Sequence, residues 1–486
     1  MIMKKRFFYS ILFLTTSLFM PGCSDKLEVD LESAITANSM WKDESDAKAA
    51  IYGAYVRMRS TFSTAYIFWG EYRTGLWGKG LETSAGYSNA FSNQINSTHA
   101  QANWKDLYTT INDCNLILKY VPEITFTSDE EKNNVIGQAH YIRAFCYYWI
   151  ARIWGDAPIV LSGFESSTQE DLYPTRSPMK EVFSQVEKDL ILAEQLIPAG
   201  NNKPQVATKS AVQILQADYY LWMAKVNNAG QGALNKAKLA VDKVISSGKF
   251  SLLPNFANVF KTELNPEIIF CWRMIMDEAT GGYPSDYLVP LQYVSASVIE
   301  NPIKVGSHQQ WVFLTNEYKE FLAVEPTDQR TKVSYESYFD VGKQSSFQWI
   351  NKYSGTWENG TRIFDSDLVV YRYADALLLS AEIENALNNP TLALQNLNLI
   401  AKRAYGIDNK YIGLNKLQID QSILLERKRE FVAEGKLWWD FIRMGVVFTE
   451  VESLKSQKDK PNVLLWPVHD SSINTNPNIK QTEGYN

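Results

Sequence analysis

Residues 143–160, RAFCYYWIARIWGDAPIV, constrain the fold more than any other stretch. They read as the last turns of a helix with apolar or aromatic groups on nearly every side. A helix that is apolar all round is buried in a larger helical body rather than laid on its surface. Arg152 falls in the final turn, where a cation suits the negative end of the helix dipole. Gly155 follows where a left-handed cap needs it, and Pro158 blocks continuation.

The remainder of the chain supplies helices for that body. Glu44 to Arg59 places Ala47, Ile51, Ala54 and Tyr55 on one face. Trp104 to Asn115 has helical spacing, and Glu130 to Trp154 is the central helix. Pro178 suits the first turn of a helix over Val182, Val186, Leu190 and Leu196. Ala207–Val226 with Ala233–Ser246, and Val369–Leu387 with Thr391–Ala404, read as two helix pairs with small Ala residues at close-packing positions. They are similar to tetratricopeptide units, although the strict repeat signature is absent. Glu267 to Trp272 reads as a short strand. Thr61–Asn103 and Phe250–Asp367 show no sustained period and read as long loops, which in a folded body are usually functional. The expected fold is mostly α: a tetratricopeptide-like helix-pair scaffold with long irregular loops and a few short strands. A chain of 486 residues can bury a large core and hold two or three subdomains.

The first residues read as a leader. Lys4-Lys5-Arg6 precede an apolar run from Phe7 to Met20 that is too short to span a bilayer. Pro21-Gly22-Cys23 then resembles a bacterial lipoprotein processing site. The reading is a signal peptide over residues 1–22 and a lipidated Cys23. Each acyl chain contributes roughly 0.8 kcal/mol per buried CH₂, so several chains tether a protein stably. Cys114, Cys146 and Cys271 remain, an odd number without a Cys-x-x-Cys pair, so no disulfide scaffold is expected. Buried, inert thiols fit better.

Chemistry is harder to find. Net charge is −6, and no Lys/Arg block follows the leader, which disfavours nucleic acid. Gly-x-Ser-x-Gly, His-Glu-x-x-His and phosphate-binding glycine loops are missing. The four histidines are scattered, and the acidic clusters lack the glycine and terminal glutamate of a calcium-binding loop. No catalytic residue, metal site or cofactor is expected. A pair of carboxylates set across a glycosidic bond has no sequence signature, so a surface glycoside hydrolase stays open as an alternative. Glu426, Arg427, Arg429, Glu430 and Glu434 stand at helical spacings that suit intrahelical ion pairing and docking on the scaffold. The loops mix aromatic residues with Arg, Asn and Gln. Sugar rings offer apolar C–H faces to aromatic rings and a rim of hydroxyls to polar side chains. Candidate ligand contacts are Arg73, Trp77 and Tyr87 in the first loop region, and Tyr283, Tyr287 and Trp311 in the second.

Several lines of sequence carry a family resemblance. Arg-Ala-Phe-x-Tyr-x-x-x-x-Arg-x-x-Gly-Asp-x-Pro, beginning at Arg143, resembles the central helix of SusD/RagB surface lipoproteins of Bacteroidetes. Residues 426–445, ERKREFVAEGKLWWDFIRMG, resemble that family's second signature. Trp104-x-x-x-Tyr108-x-x-Ile111-x-x-x-Asn115, Asp328-Gln-Arg330 and the ending from Leu464 to Tyr485 are similar to further family lines. The resemblance implies an N-terminal region over residues 23–230 with the first ligand loops and a C-terminal region over 231–486 with the second. It implies a lipid-anchored protein of the outer membrane, facing the exterior, that binds an oligosaccharide or polysaccharide. It implies a SusC-like TonB-dependent transporter as partner. A peptide ligand, as in RagB-like members, is the alternative.

Overall fold

Every residue from Tyr141 to Trp154 is buried, as the all-round apolar pattern requires. These residues end the helix Asp129–Trp154, which Ser128 caps by accepting from the Glu131 N–H and which stops at Gly155, φ +72°. The computed structural model describes residues 40–485, and those from Asp43 onward form one compact unit. The leader and Cys23 lie outside the described residues.

The principal helices are α1 (Glu44–Gly70), α2 (Lys105–Tyr120), α3 (Asp129–Trp154), α4 (Met179–Leu196), α5 (Lys209–Lys225), α6 (Gly230–Ser246), α7 (Tyr373–Ala386), α8 (Pro390–Tyr405), α9 (Lys416–Glu430) and α10 (Leu437–Arg443). Each of α3 to α8 packs on the next, so the hairpins α3–α4, α5–α6 and α7–α8 stack in sequence order. Buried Ala233, Ala237 and Ala240 on α6 and Ala393, Ala401 and Ala404 on α8 let the helices approach closely. The mostly α, tetratricopeptide-like architecture expected from sequence is the one observed. Family-signature residues join its first layers. Arg143 on α3 donates to Asp189 of α4 at 2.7 and 2.9 Å and to Asn115 of α2 at 2.8 Å. Cys114, Cys146 and Cys271 are buried free thiols, and burial raises all three.

Three stretches differ from expectation. The first helix does not end at Arg59 but runs to Gly70, burying Phe62, Tyr66, Phe68 and Trp69. Phe62 stacks on Trp272 at 5.1 Å and meets Phe145 edge-on at 5.1 Å. With partners on several sides this end of the helix has no amphipathic period, and so it read as loop. Second, Leu368–Arg372 is a strand paired antiparallel with Ile268–Trp272, and α7 begins only after it. Third, residues 250–367 hold structure: the hairpin Tyr335–Asp340/Ser345–Ile350 and a satellite core of Leu288, Val289, Val305, Trp349 and Phe364.

The charged residues of the C-terminal signature mostly do not pair within their helix. Arg330 binds Asp328 and Glu426 at 2.7 Å each and Glu430 at 3.1 Å. Arg372 binds Glu267 at 2.9 Å, Glu434 at 2.8 Å, and Glu430; Arg403 reaches Glu267 and Glu430 as well. Lys352 meets Glu434 at 2.7 Å. All these groups are buried. The carboxylates therefore knit α9 and the turn after it to distant segments. Burial alone would raise the Glu434 carboxyl, but Arg372 and Lys352 hold it down to about 2.

Candidate functional site

A two-stranded ribbon sets the geometry of the loop end. Trp77–Lys79 (β1) pairs antiparallel with Val312–Leu314 (β2), Trp77 opposite Leu314 and Lys79 opposite Val312. The pairing continues past the strands: the Gly80 N–H donates to the Trp311 carbonyl at 3.3 Å and the Glu82 N–H to the Gln310 carbonyl at 3.1 Å. Gly80 permits this approach, because a β-carbon there would lie 2.2 Å from the Gln310 oxygen. The buried Gln310 amide donates in turn to the carbonyls of Tyr287 at 3.0 Å and Gln348 at 2.8 Å. Residues 80–91, 283–293 and 308–311 thus meet at one place.

Two aromatic rings remain part-exposed there. Tyr87, on the short helix Ala85–Phe91, lies near-parallel to Trp311, with centroids 6.3 Å apart and planes at 21°. The Tyr87 hydroxyl donates to Asp286 at 2.5 Å. Burial pushes the Asp286 carboxyl up to about 6, although the Tyr87 hydrogen bond and nearby His308 pull it down. Tyr293, an exposed ring, donates its hydroxyl to Glu82. An aromatic floor with a carboxylate, hydroxyl and imidazole rim is what results. It can take the apolar face of a ring and hydrogen-bond the groups at its edge.

The other four candidates are each buried. Trp77 stacks on Tyr287 at 5.3 Å and 21°, and its indole N–H donates to Glu71 at 3.2 Å. Tyr287 accepts from the Tyr72 hydroxyl at 3.2 Å, and Tyr283 donates to the Ala433 carbonyl at 3.4 Å. Arg73 donates to Asn93 at 2.8 Å and to the successive carbonyls of Val463, Leu464 and Leu465 at 2.7, 2.9 and 3.3 Å, over the Trp438 ring. The sequence grouped these four with Tyr87 and Trp311 as ligand contacts; the structure buries all four, Trp77, Tyr287 and Tyr283 as a wall of rings packed in series and Arg73 apart from them against residues 463–465. Glu71 fastens that wall to the turn after α9, accepting from the N–H groups of Ala433 at 2.8 Å and Gly435 at 2.7 Å. Sequence reasoning missed Glu82, Asp286, Tyr293 and His308. They fall in or beside the loop regions singled out, but no spacing marks them there.

Among the described residues no group of three or more His, Cys, Asp or Glu is placed to hold a metal ion, and no helix is long and apolar enough to cross a membrane.

Comparison with known proteins places this geometry among relatives. Residues 295–485 match the family described as "SusD family", and residues 73–221 match "Starch-binding associating with outer membrane". The chain is 26% identical to the SusD-like protein P38 of Formosa agariphila, over 96% of each chain. Among solved structures, it is similar to a SusD superfamily protein from Bacteroides fragilis, with a TM-score of 0.78, 26% identity, and coverage of 92% of this chain and all of that one. A SusD superfamily protein from Bacteroides vulgatus gives a TM-score of 0.79 at 26% identity, with the same coverage.

Proposed function

The chain belongs to the SusD family, and from that premise we propose that it is a glycan-binding protein of the outer membrane whose ligand rests on Tyr87 and Trp311. The observation that carries the reading is the pair of near-parallel, part-exposed rings with polar groups at their margin. Such a surface takes the C–H face of a saccharide while Glu82 accepts from its hydroxyls. The ligand is an oligosaccharide or a stretch of polysaccharide. Binding suffices for this task, and no bond is broken here. Acyl chains on Cys23 tether the protein to the outer membrane, facing the exterior, and a SusC-like TonB-dependent transporter receives the ligand.

Affinity electrophoresis in polysaccharide gels tests the site: retardation that Tyr87→Ala and Trp311→Ala both leave unchanged would refute it. Release of reducing ends from a glycan panel would make the protein a hydrolase instead, and retention of peptides with no retention of glycans would make it RagB-like. An unmodified Cys23 in mass spectra of the mature protein would remove the anchor. A detergent-solubilised pull-down that repeatedly lacks a large β-barrel would remove the transporter.

A further inference from the structure

The ribbon that carries Trp311 also borders a hollow of about 320 Å³, whose lining includes Gly78, Lys79, Gly80, Gln310, Lys319 and Gln348. Gly78 stands opposite Phe313, and the same register continued sets Gly80 opposite Trp311. Directly paired residues share a face of a ribbon, so β1 puts no side chain on the Trp311 face. A β-carbon on Gly78 would touch only the Thr315 methyl, at 3.6 Å, so the space beside the strand is open. Gln310 and Gly80, the chain neighbour and the pairing partner of Trp311, both line the hollow, which therefore adjoins the Tyr87–Trp311 floor.

The charge of this hollow is one-sided. Two lysines line it and no aspartate or glutamate does, in a chain whose net charge is −6. Neither ammonium makes an ion pair among the described residues. Lys79 is exposed, as a lysine on an edge strand commonly is. Lys319 is different. It is partly buried on the helix Asn316–Ala323, and its ammonium donates to the Gln348 Oε1 at 2.8 Å, which leaves two donors. Burial pulls that ammonium below the usual lysine value, and Glu317 offsets this only in part. A cation held partly out of water with no carboxylate beside it favours an anion brought by a ligand. The Ser346 hydroxyl and the Asn316 amide, also in the lining, are further donors to such a group. At the floor itself the Glu82 carboxylate disfavours an anion, so a ligand carrying one is directed along the ribbon.

We propose that this hollow is a subsite for an anionic substituent, a carboxylate or a sulfate ester, on a glycan whose neutral ring rests on Tyr87 and Trp311, with Lys319 and Lys79 as its cations. The inference rests on the reading of the floor as a glycan site, and the ligand it names is an acidic polysaccharide or a fragment of one. The test titrates the full chain calorimetrically with three acidic tetrasaccharides, from polygalacturonate, polymannuronate and κ-carrageenan. Each is matched with its own neutral form, methyl-esterified or desulfated, so that a pair differs in charge alone. In at least one pair the acidic member is expected to bind about tenfold tighter. A preference for uronates assigns a carboxylate, and one for the carrageenan a sulfate ester. The preference should vanish in about 1 M salt, where screening acts within about 3 Å. It should fall about tenfold in Lys319→Met and about threefold in Lys79→Met, with the neutral forms unaffected. Lys79 is exposed and Lys319→Met keeps the apolar stem, so both variants keep the fold. Equal binding within every pair, or a preference unchanged in both variants, would overturn the subsite and leave the floor standing. Binding by none of the six would overturn both.

Discussion

Gly70, the last residue of α1, and Gly435, in the turn after α9, meet backbone to backbone: a β-carbon on Gly70 would lie 1.8 Å from the Gly435 carbonyl oxygen. Gly435 is constrained twice over, by φ of +67° and by the Tyr66 ring 2.3 Å from its own would-be β-carbon. The Gly70 contact cannot relax by a side-chain rotation, since its clash is with main chain. Gly70→Ala is therefore expected to lose at least about 1–3 kcal/mol, the usual cost of overpacking, read as a fall in the thermal midpoint or a loss of soluble protein. A midpoint equal to wild type would mean the two segments are not locked together.

Glu434 is the carboxylate shared by Arg372 and Lys352. Its folded pKa is depressed, so its contribution is present above the unfolded value of about 4.5 and is lost as pH falls through about 2. Glu434→Gln should cost about 3–5 kcal/mol at neutral pH, because it leaves buried cations underpaired. It should also flatten the acid limb of stability between those two values. Urea unfolding at a series of pH values measures both.

Asp286 behaves in the opposite sense. Its folded pKa is raised to about 6, so its contribution is complete below the unfolded value of about 3.8 and is lost as pH rises through about 6. Asp286→Asn keeps an acceptor for the Tyr87 hydroxyl and removes the titration. Its thermal midpoint should gain on wild type from about pH 5 to pH 7.

The wall and the floor should separate by their readouts. Tyr87→Ala and Trp311→Ala are expected to weaken glycan retention by about tenfold each; Trp311→Ala should leave the thermal midpoint nearly unchanged, and Tyr87→Ala should cost about 1–3 kcal/mol because the buried Asp286 loses its hydroxyl donor. Trp77→Ala, which empties a buried ring position beside Tyr287, should instead cost about 3–5 kcal/mol of stability. Reversed outcomes would place the ligand elsewhere.

Arg73→Ala removes the donors that hold three successive carbonyls. The segment Val463–Leu465 should become the first site of limited proteolysis, visible as a nick near the C-terminus before the helical body is cut.

How much of this was legible beforehand follows from what each residue answers to. The helix pairs announced themselves because alanines recur at the spacing at which helices touch. The family lines were readable because their residues are ties between elements, as with Arg143 bridging Asn115 and Asp189. The aromatic end of α1 was illegible because partners on several sides erase the one-sided period from which helices are recognised. The ion pairs of the C-terminal signature showed the same limit: spacing reports neighbours along one helix, whereas Glu430 and Glu434 answer to Arg330, Arg372 and Lys352. The loop candidates divided on a property no local pattern holds. Trp77 and Trp311 are chemically the same and sit at the two ends of one ribbon, and only what packs against each from afar decides which is enclosed.

The Arg73 latch joins positions 390 residues apart. Whatever hands this chain over N-terminus first presents the guanidinium long before Val463 exists to receive it. Arg73 must stay hydrated until then, and the segment it holds cannot dock before residue 465 has been made. This tie therefore closes late, after the long stretch of chain between its two ends has been made.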